Sequence, residues 1–91
     1  MRESAIEKAV CQYARSKGVS NLKLSGLNDR GKADRLFMRG GVAAFVEFKA
    51  PGEEPTPLQQ KFLNERTGDG FAACCCDDVA MGRKIIDSIF P

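Results

Sequence analysis

Asp34, Glu47 and Lys49 are the side chains whose types and spacing could do chemistry together. They lie on two short apolar runs, Asp34-Arg35-Leu36-Phe37-Met38-Arg39 and Val42-Ala43-Ala44-Phe45-Val46-Glu47-Phe48-Lys49, separated by Gly40-Gly41. A Gly-Gly pair between two such runs has the composition of a two-residue hairpin loop. With Gly40 and Gly41 as the turn, Arg39 pairs with Val42, Leu36 faces Phe45 and Asp34 faces Glu47. Side chains alternate along a strand, so Glu47 and Lys49 share one face. Directly opposed residues have Cβ atoms roughly 4.5–5.5 Å apart, and like charges in that relation are destabilising. A hard divalent cation would compensate, because Mg²⁺ takes carboxylate and water oxygens.

The elements that must position these residues read as follows. Residues 3 to about 17 form a first helix, with Ile6, Ala9, Val10, Tyr13 and Ala14 on one stripe. Gly18 stops it after a basic last turn. Two glutamates on this helix compete for a place beside the carboxylate pair. Glu3 lies roughly 50° from the stripe centre and Glu7 roughly 90° away, so Glu3 leans further toward whatever the stripe packs on. Both also suit a plain role as acids near a helix N-terminus. A first strand spans Val19 to about Ser25, with Leu22 and Leu24 on one face. The loop that follows and delivers Asp34 carries Arg30 and Lys32, with Lys23 before it and Arg35 after it. These four cations could hold a phosphate backbone.

Beyond the hairpin, Pro51, Gly52 and Pro55 break regular structure. Thr56-Pro57-Leu58-Gln59 then reads as a helix start, with Thr56 as N-cap, Pro57 in the first turn and Gln59 closing a capping box. Leu58, Phe62 and Leu63 supply its buried face, and Gly68-Asp69-Gly70 ends it. Phe71 to Cys76 is a continuous apolar run suited to a strand covered on both faces. Asp77 or Asp78 caps a last helix whose apolar side is Val79, Gly82, Ile85, Ile86 and Ile89. The order is helix, three strands, helix, strand, helix: an α/β fold. Its first three strands form an antiparallel meander, and the fourth returns parallel after a helical crossover.

Composition narrows the function classes. Ninety-one residues allow a single domain, 1–91, with a small core that dimerisation would help to stabilise. No apolar run approaches the roughly 20 residues of a membrane span, and no signal-peptide core follows Met1. A cytoplasmic protein without a membrane partner is expected. A net charge of +2 is too small to argue for nucleic acid unless the cations cluster. With no histidine and no Cys-x-x-Cys spacing, a structural zinc site is not expected. Cys11 and the run Cys74-Cys75-Cys76 read as small apolar fillers in a reducing compartment.

Asp34, then Glu47-Phe48-Lys49 about a dozen residues later, resembles the signature of the PD-(D/E)XK nuclease superfamily. Gly31-Lys32-Ala33-Asp34-Arg35-Leu36, Val46-Glu47-Phe48-Lys49-Ala50-Pro51-Gly52 and Pro55-Thr56-Pro57-Leu58-Gln59 resemble the VRR-NUC family more narrowly. The resemblance covers nearly the whole chain. Ala33 stands where that family usually has proline, which gives up a stiff strand entry but no metal ligand. The resemblance implies a restriction-endonuclease-like core, a mixed sheet flanked by helices. It implies metal-dependent hydrolysis of DNA phosphodiesters, with Asp34, Glu47, the Phe48 carbonyl and a helix-borne glutamate around Mg²⁺ or Mn²⁺ and no organic cofactor. Both Glu3 before Ile6 and Glu7 before Val10 match the place of that glutamate. The family also puts a glutamine near the catalytic centre. Gln59 fits its spacing better than Gln60; capping box and catalytic centre can both hold in part, although one side chain is not expected to point both ways at once. Stand-alone members, including small phage proteins, are similar to Holliday-junction resolvases, which implies a homodimer on branched DNA. A flap or nicking nuclease, and a non-catalytic DNA-binding module of the same fold, are the alternatives.

Overall fold

In the computed structural model, which describes residues 1–24 and 31–91, the chain starts with an amphipathic helix, α1 (Glu3–Ser16). Of the expected stripe, Ile6, Val10 and Ala14 are buried and Ala9 and Tyr13 half-buried, and Cys11 is buried beside them. Gly18 then adopts a positive φ of 76°, which lets the Val19 N–H reach back to the Ala14 carbonyl and turns the chain into β1 (Ser20–Lys23). The strand is shorter than the run from Val19 to Ser25, and Ser25 itself lies outside the described residues.

β2 (Arg35–Arg39) and β3 (Val42–Phe48) form the hairpin in the expected register, with Leu36 opposite Phe45 and Arg39 opposite Val42. Gly40 and Gly41 both have positive φ, 58° and 82°, as a tight turn matched to strand twist requires. α2 (Pro57–Gly68) begins with the capping box and returns the chain to β4 (Ala72–Cys76), which runs parallel to β3. Asp78 caps α3 (Val79–Ile89) by accepting from the Met81 N–H. Asp77 does not share in the cap; it accepts from the Gly52 N–H and ties down the loop after β3.

The sheet order is β1-β2-β3-β4. One face packs on α1 and α3 through Phe37, Ala44, Val46, Phe48 and Cys76. Within that layer Gly82 of α3 is pressed against α1; a Cβ there would lie 2.3 Å from a Val10 methyl and 3.1 Å from the Cys76 sulfur. The other face is covered in part by α2, where Phe45 meets the rings of Phe62 and Phe71 edge-on at 5.6 and 5.7 Å. Leu58 departs from expectation. Phe62 is half-buried and Leu63 buried, but Leu58 is 58% exposed. Five residues along an α-helix turn the side chain by roughly 140°, so Leu58 and Leu63 cannot face the same surface. All four cysteines are free, with Cys11 and Cys76 buried and Cys74 and Cys75 half-buried, in keeping with a filler role. Burial raises all four thiols, Cys74 to about 11, which favours their protonated form.

Candidate metal centre and active site

The hairpin register brings Asp34 to Glu47 at the end of the sheet where β2 begins and β3 finishes. Asp34 is fixed twice. Its carbonyl accepts from the Leu24 N–H at 2.9 Å, and its Oδ2 accepts from the Phe48 N–H at 2.8 Å. Ala33, just before it, is fully buried, so packing supplies a fixed strand entry without a proline ring. Alternation along β3 sends Val46 and Phe48 to the α1–α3 face and Glu47 to the other. Glu47 is 1% exposed and is the one buried charged residue among those described.

Around Glu47 the remaining groups converge. Its Oε2 accepts from Gln59 Nε2 at 2.7 Å and lies 3.5 Å from Lys49 Nζ. Its Oε1 is buried and has no hydrogen-bond partner. The first turn of α1 adds Glu3. Carboxylate oxygens of Glu3, Asp34 and Glu47 lie within 4.8 Å of one another. Burial first, and then the Asp34 charge, pushes the Glu47 carboxyl up to about 8 from an ordinary 4.5. The same two causes, in the same order, raise Glu3. Three converging carboxylates, one with a buried lone pair and no donor, fit a hard divalent cation. Such an ion would satisfy the orphaned oxygen and reverse the mutual repulsion. The Phe48 N–H points at Asp34, and in an extended strand the carbonyl of a residue points to the same side as its N–H.

Gln59 makes both contacts in full, where the sequence allowed each only in part. Its Oε1 accepts from the Thr56 N–H at 2.9 Å while its Nε2 donates to Glu47. An amide has an acceptor end and a donor end, so both contacts hold at once. Gln60 donates instead to Asn64 on the exposed side of α2, at 2.9 Å.

The choice between the two α1 glutamates is also visible. Glu3 joins the cluster; Glu7 accepts from Arg35 Nε at 2.6 Å. Arg35 also donates through Nη1 to Asn21 Oδ1 at 3.1 Å. Arg35 therefore lies on the α1 face of the sheet, opposite the face that Glu47 occupies. Of the other cations grouped with it, Lys23 ends β1 and Lys32 lies in the segment leading to Asp34, both exposed. Arg30 lies outside the described residues. Two neighbours of the site carry no signal in the sequence. Cys75 sits beside Glu47 in the parallel β3–β4 register, and Asp77 holds Gly52. Both depend on where β4 docks, which no local pattern encodes.

No family model matches the chain. A phage protein named "Putative nuclease p44", from Acyrthosiphon pisum secondary endosymbiont phage 1, is 43% identical over 60 residues. That match takes in 65% of this chain and spans 64% of the relative's length. A solved structure described as a "VRR_NUC domain" superposes with a TM-score of 0.84 at 23% identity, covering 97% of each chain. Element order, mixed sheet and near-complete superposition agree: the chain has the fold of the VRR_NUC domain.

Proposed function

We propose that this chain is a metal-dependent endonuclease of the VRR-NUC type that hydrolyses phosphodiester bonds in DNA. The observation that carries the reading is the buried Glu47 carboxylate, whose partnerless Oε1 lies in a cluster with Glu3 and Asp34 beside Lys49 and Gln59. Burying a carboxyl oxygen without a donor costs stability, and a fold that needs only a core has no use for it. The fold of the VRR_NUC domain and the likeness to a phage protein named as a nuclease support the same chemistry.

Asp34, Glu47 and Glu3 would hold Mg²⁺ or Mn²⁺, with the Phe48 carbonyl as a further oxygen ligand. The ion, when bound, would acidify water and offset phosphate charge. The chain's own groups do the rest. Lys49 brings an ammonium to the same pocket, where it orients the attacking water or stabilises charge on a phosphate oxygen. Gln59 holds Glu47 Oε2 with one end of its amide and the start of α2 with the other, which fixes the carboxylate's rotamer. Hydrolysis forms a bond from water oxygen to phosphorus, breaks a phosphorus–ester oxygen bond and moves a water proton toward the leaving oxygen, a transfer that Lys49 would assist. Arg30 and Lys32 would take neighbouring phosphates of the strand, with Lys23 at the α1 side of the sheet.

The preferred substrate in this reading is branched DNA, a four-way junction cut by a homodimer in the cytoplasm of a host cell. So small a chain offers little to read base edges, and two-fold symmetry suits paired cuts in opposed strands. No helix among the described residues is long and apolar enough to cross a membrane. The test is Mg²⁺- and Mn²⁺-dependent cleavage of four-way, flap and linear DNA, with the protein's mass in solution measured alongside. Preferential symmetric cutting of the four-way junction by a dimer is expected. Equal nicking of linear duplex removes the junction assignment, and no cleavage of any substrate removes the nuclease assignment.

A further inference from the structure

We infer that Glu7, Arg35 and Asn21 form a positioning clamp that sets α1 so that Glu3 reaches the metal centre; this rests on the functional reading above. Glu3 is supplied by a helix, whereas Asp34 and Glu47 belong to the hairpin, so the cluster exists only while α1 holds one rotation and one height on the sheet. The helix start does not secure this by itself. Arg2 occupies the N-cap and makes no side-chain cap bond, and the buried stripe begins only at Ile6.

The clamp lies one turn further on. Glu7 is four residues after Glu3, and residues so spaced lie one above the other on a helix. Its carboxylate accepts from Arg35 Nε at 2.6 Å, in a half-buried pair with side chains 18% and 24% exposed. Asn21 of β1 accepts from Nη1, so two arms of a rigid planar guanidinium are held by two elements. Arg35 follows Asp34 directly. Alternation sends Asp34 toward Glu47 and Arg35 toward α1, so one dipeptide carries both a ligand and the anchor for another ligand's helix. A roll of α1 that withdrew Glu3 would break the Glu7–Arg35 pair first.

Binding of Mn²⁺ alone, measured by calorimetry, tests this without DNA. Groups that orient metal ligands typically change affinity by 10–100-fold when removed. Glu7→Ala is expected to weaken Mn²⁺ binding by about tenfold, toward the lower end of that range. Asn21→Ala, which leaves the ion pair intact, is expected to weaken it less. In a Glu3→Ala background neither substitution should weaken binding further, because the clamp acts through Glu3. A loss that persists in that background marks a through-space charge effect and overturns the clamp. So does unchanged affinity in folded Glu7→Ala and Asn21→Ala proteins. Should Glu7→Ala not fold, the Asn21→Ala and Glu3→Ala cycle alone decides. A wild type that binds no Mn²⁺, or binds it equally well after Glu47→Ala, overturns the nuclease reading and the clamp with it. Wild-type binding that requires Glu47 while both clamp variants match it overturns the clamp alone.

Discussion

The two faces of β3 put residues of one strand to opposite uses. On one face Ala44, Val46 and Phe48 are fully buried against α1 and α3, with Phe48 edge-on to Phe37 at 6.5 Å between centroids. On the other, Phe45 packs on α2 but its neighbour Glu47 is a buried acid with one oxygen unsatisfied. The first face stabilises by removing apolar area from water. The second gives up stability to hold acidic groups together away from water. A shift of one residue separates the core from the chemistry.

That contrast can be broken from either side. The largest effect is expected from Glu47→Ala, which should abolish metal-dependent cleavage while leaving circular dichroism unchanged; a fully active variant would sink the catalytic assignment. Lys49→Ala should likewise lose cleavage but retain Mn²⁺ binding, since its ammonium is not a ligand. On the hydrocarbon face, Phe48→Ala should cost about 3–5 kcal/mol in urea unfolding.

The pH dependence sharpens the comparison. Because the Glu47 carboxyl is raised from 4.5 to about 8, the folded chain holds a proton that the unfolded chain releases. Without metal, the Glu47 contribution to stability should be fully present below pH 4.5, fall as pH climbs toward 8, and be gone above it. Thermal melts of the wild type and Glu47→Gln in a chelator would show it. The wild-type midpoint should drop by the equivalent of a few kcal/mol over that window, and the variant should lack that drop. A smaller effect is expected from Gly82→Ala, whose new methyl must push against Val10: about 1–3 kcal/mol of destabilisation.

Legibility in the sequence followed range. The Gly40-Gly41 turn is local, so counting outward from it leads to the register the sheet adopts as far as Arg35 opposite Val46, and one step further to the Asp34 and Glu47 carboxylates that meet. The Thr56–Gln59 box is equally local and is present in full. Contacts between distant segments were less accessible. Helical geometry alone could rank Glu3 above Glu7, but only the docking of α1 showed that Glu7 belongs to Arg35. The pleat turns Arg35 and its cross-strand partner Lys23 to the face away from Glu47, which proximity in sequence does not reveal. The two-ended use of Gln59 needed the height of α2 over β3, a tertiary quantity.

The hairpin loop has a consequence for how this protein can vary. Two glycines with left-handed backbone leave no slack in the connection, so the arms behave like a ruler with fixed graduations. One residue inserted or deleted between positions 42 and 47 would carry Phe48 to the acidic side or Glu47 into the hydrocarbon layer. Length changes in those arms should therefore be tolerated only in pairs.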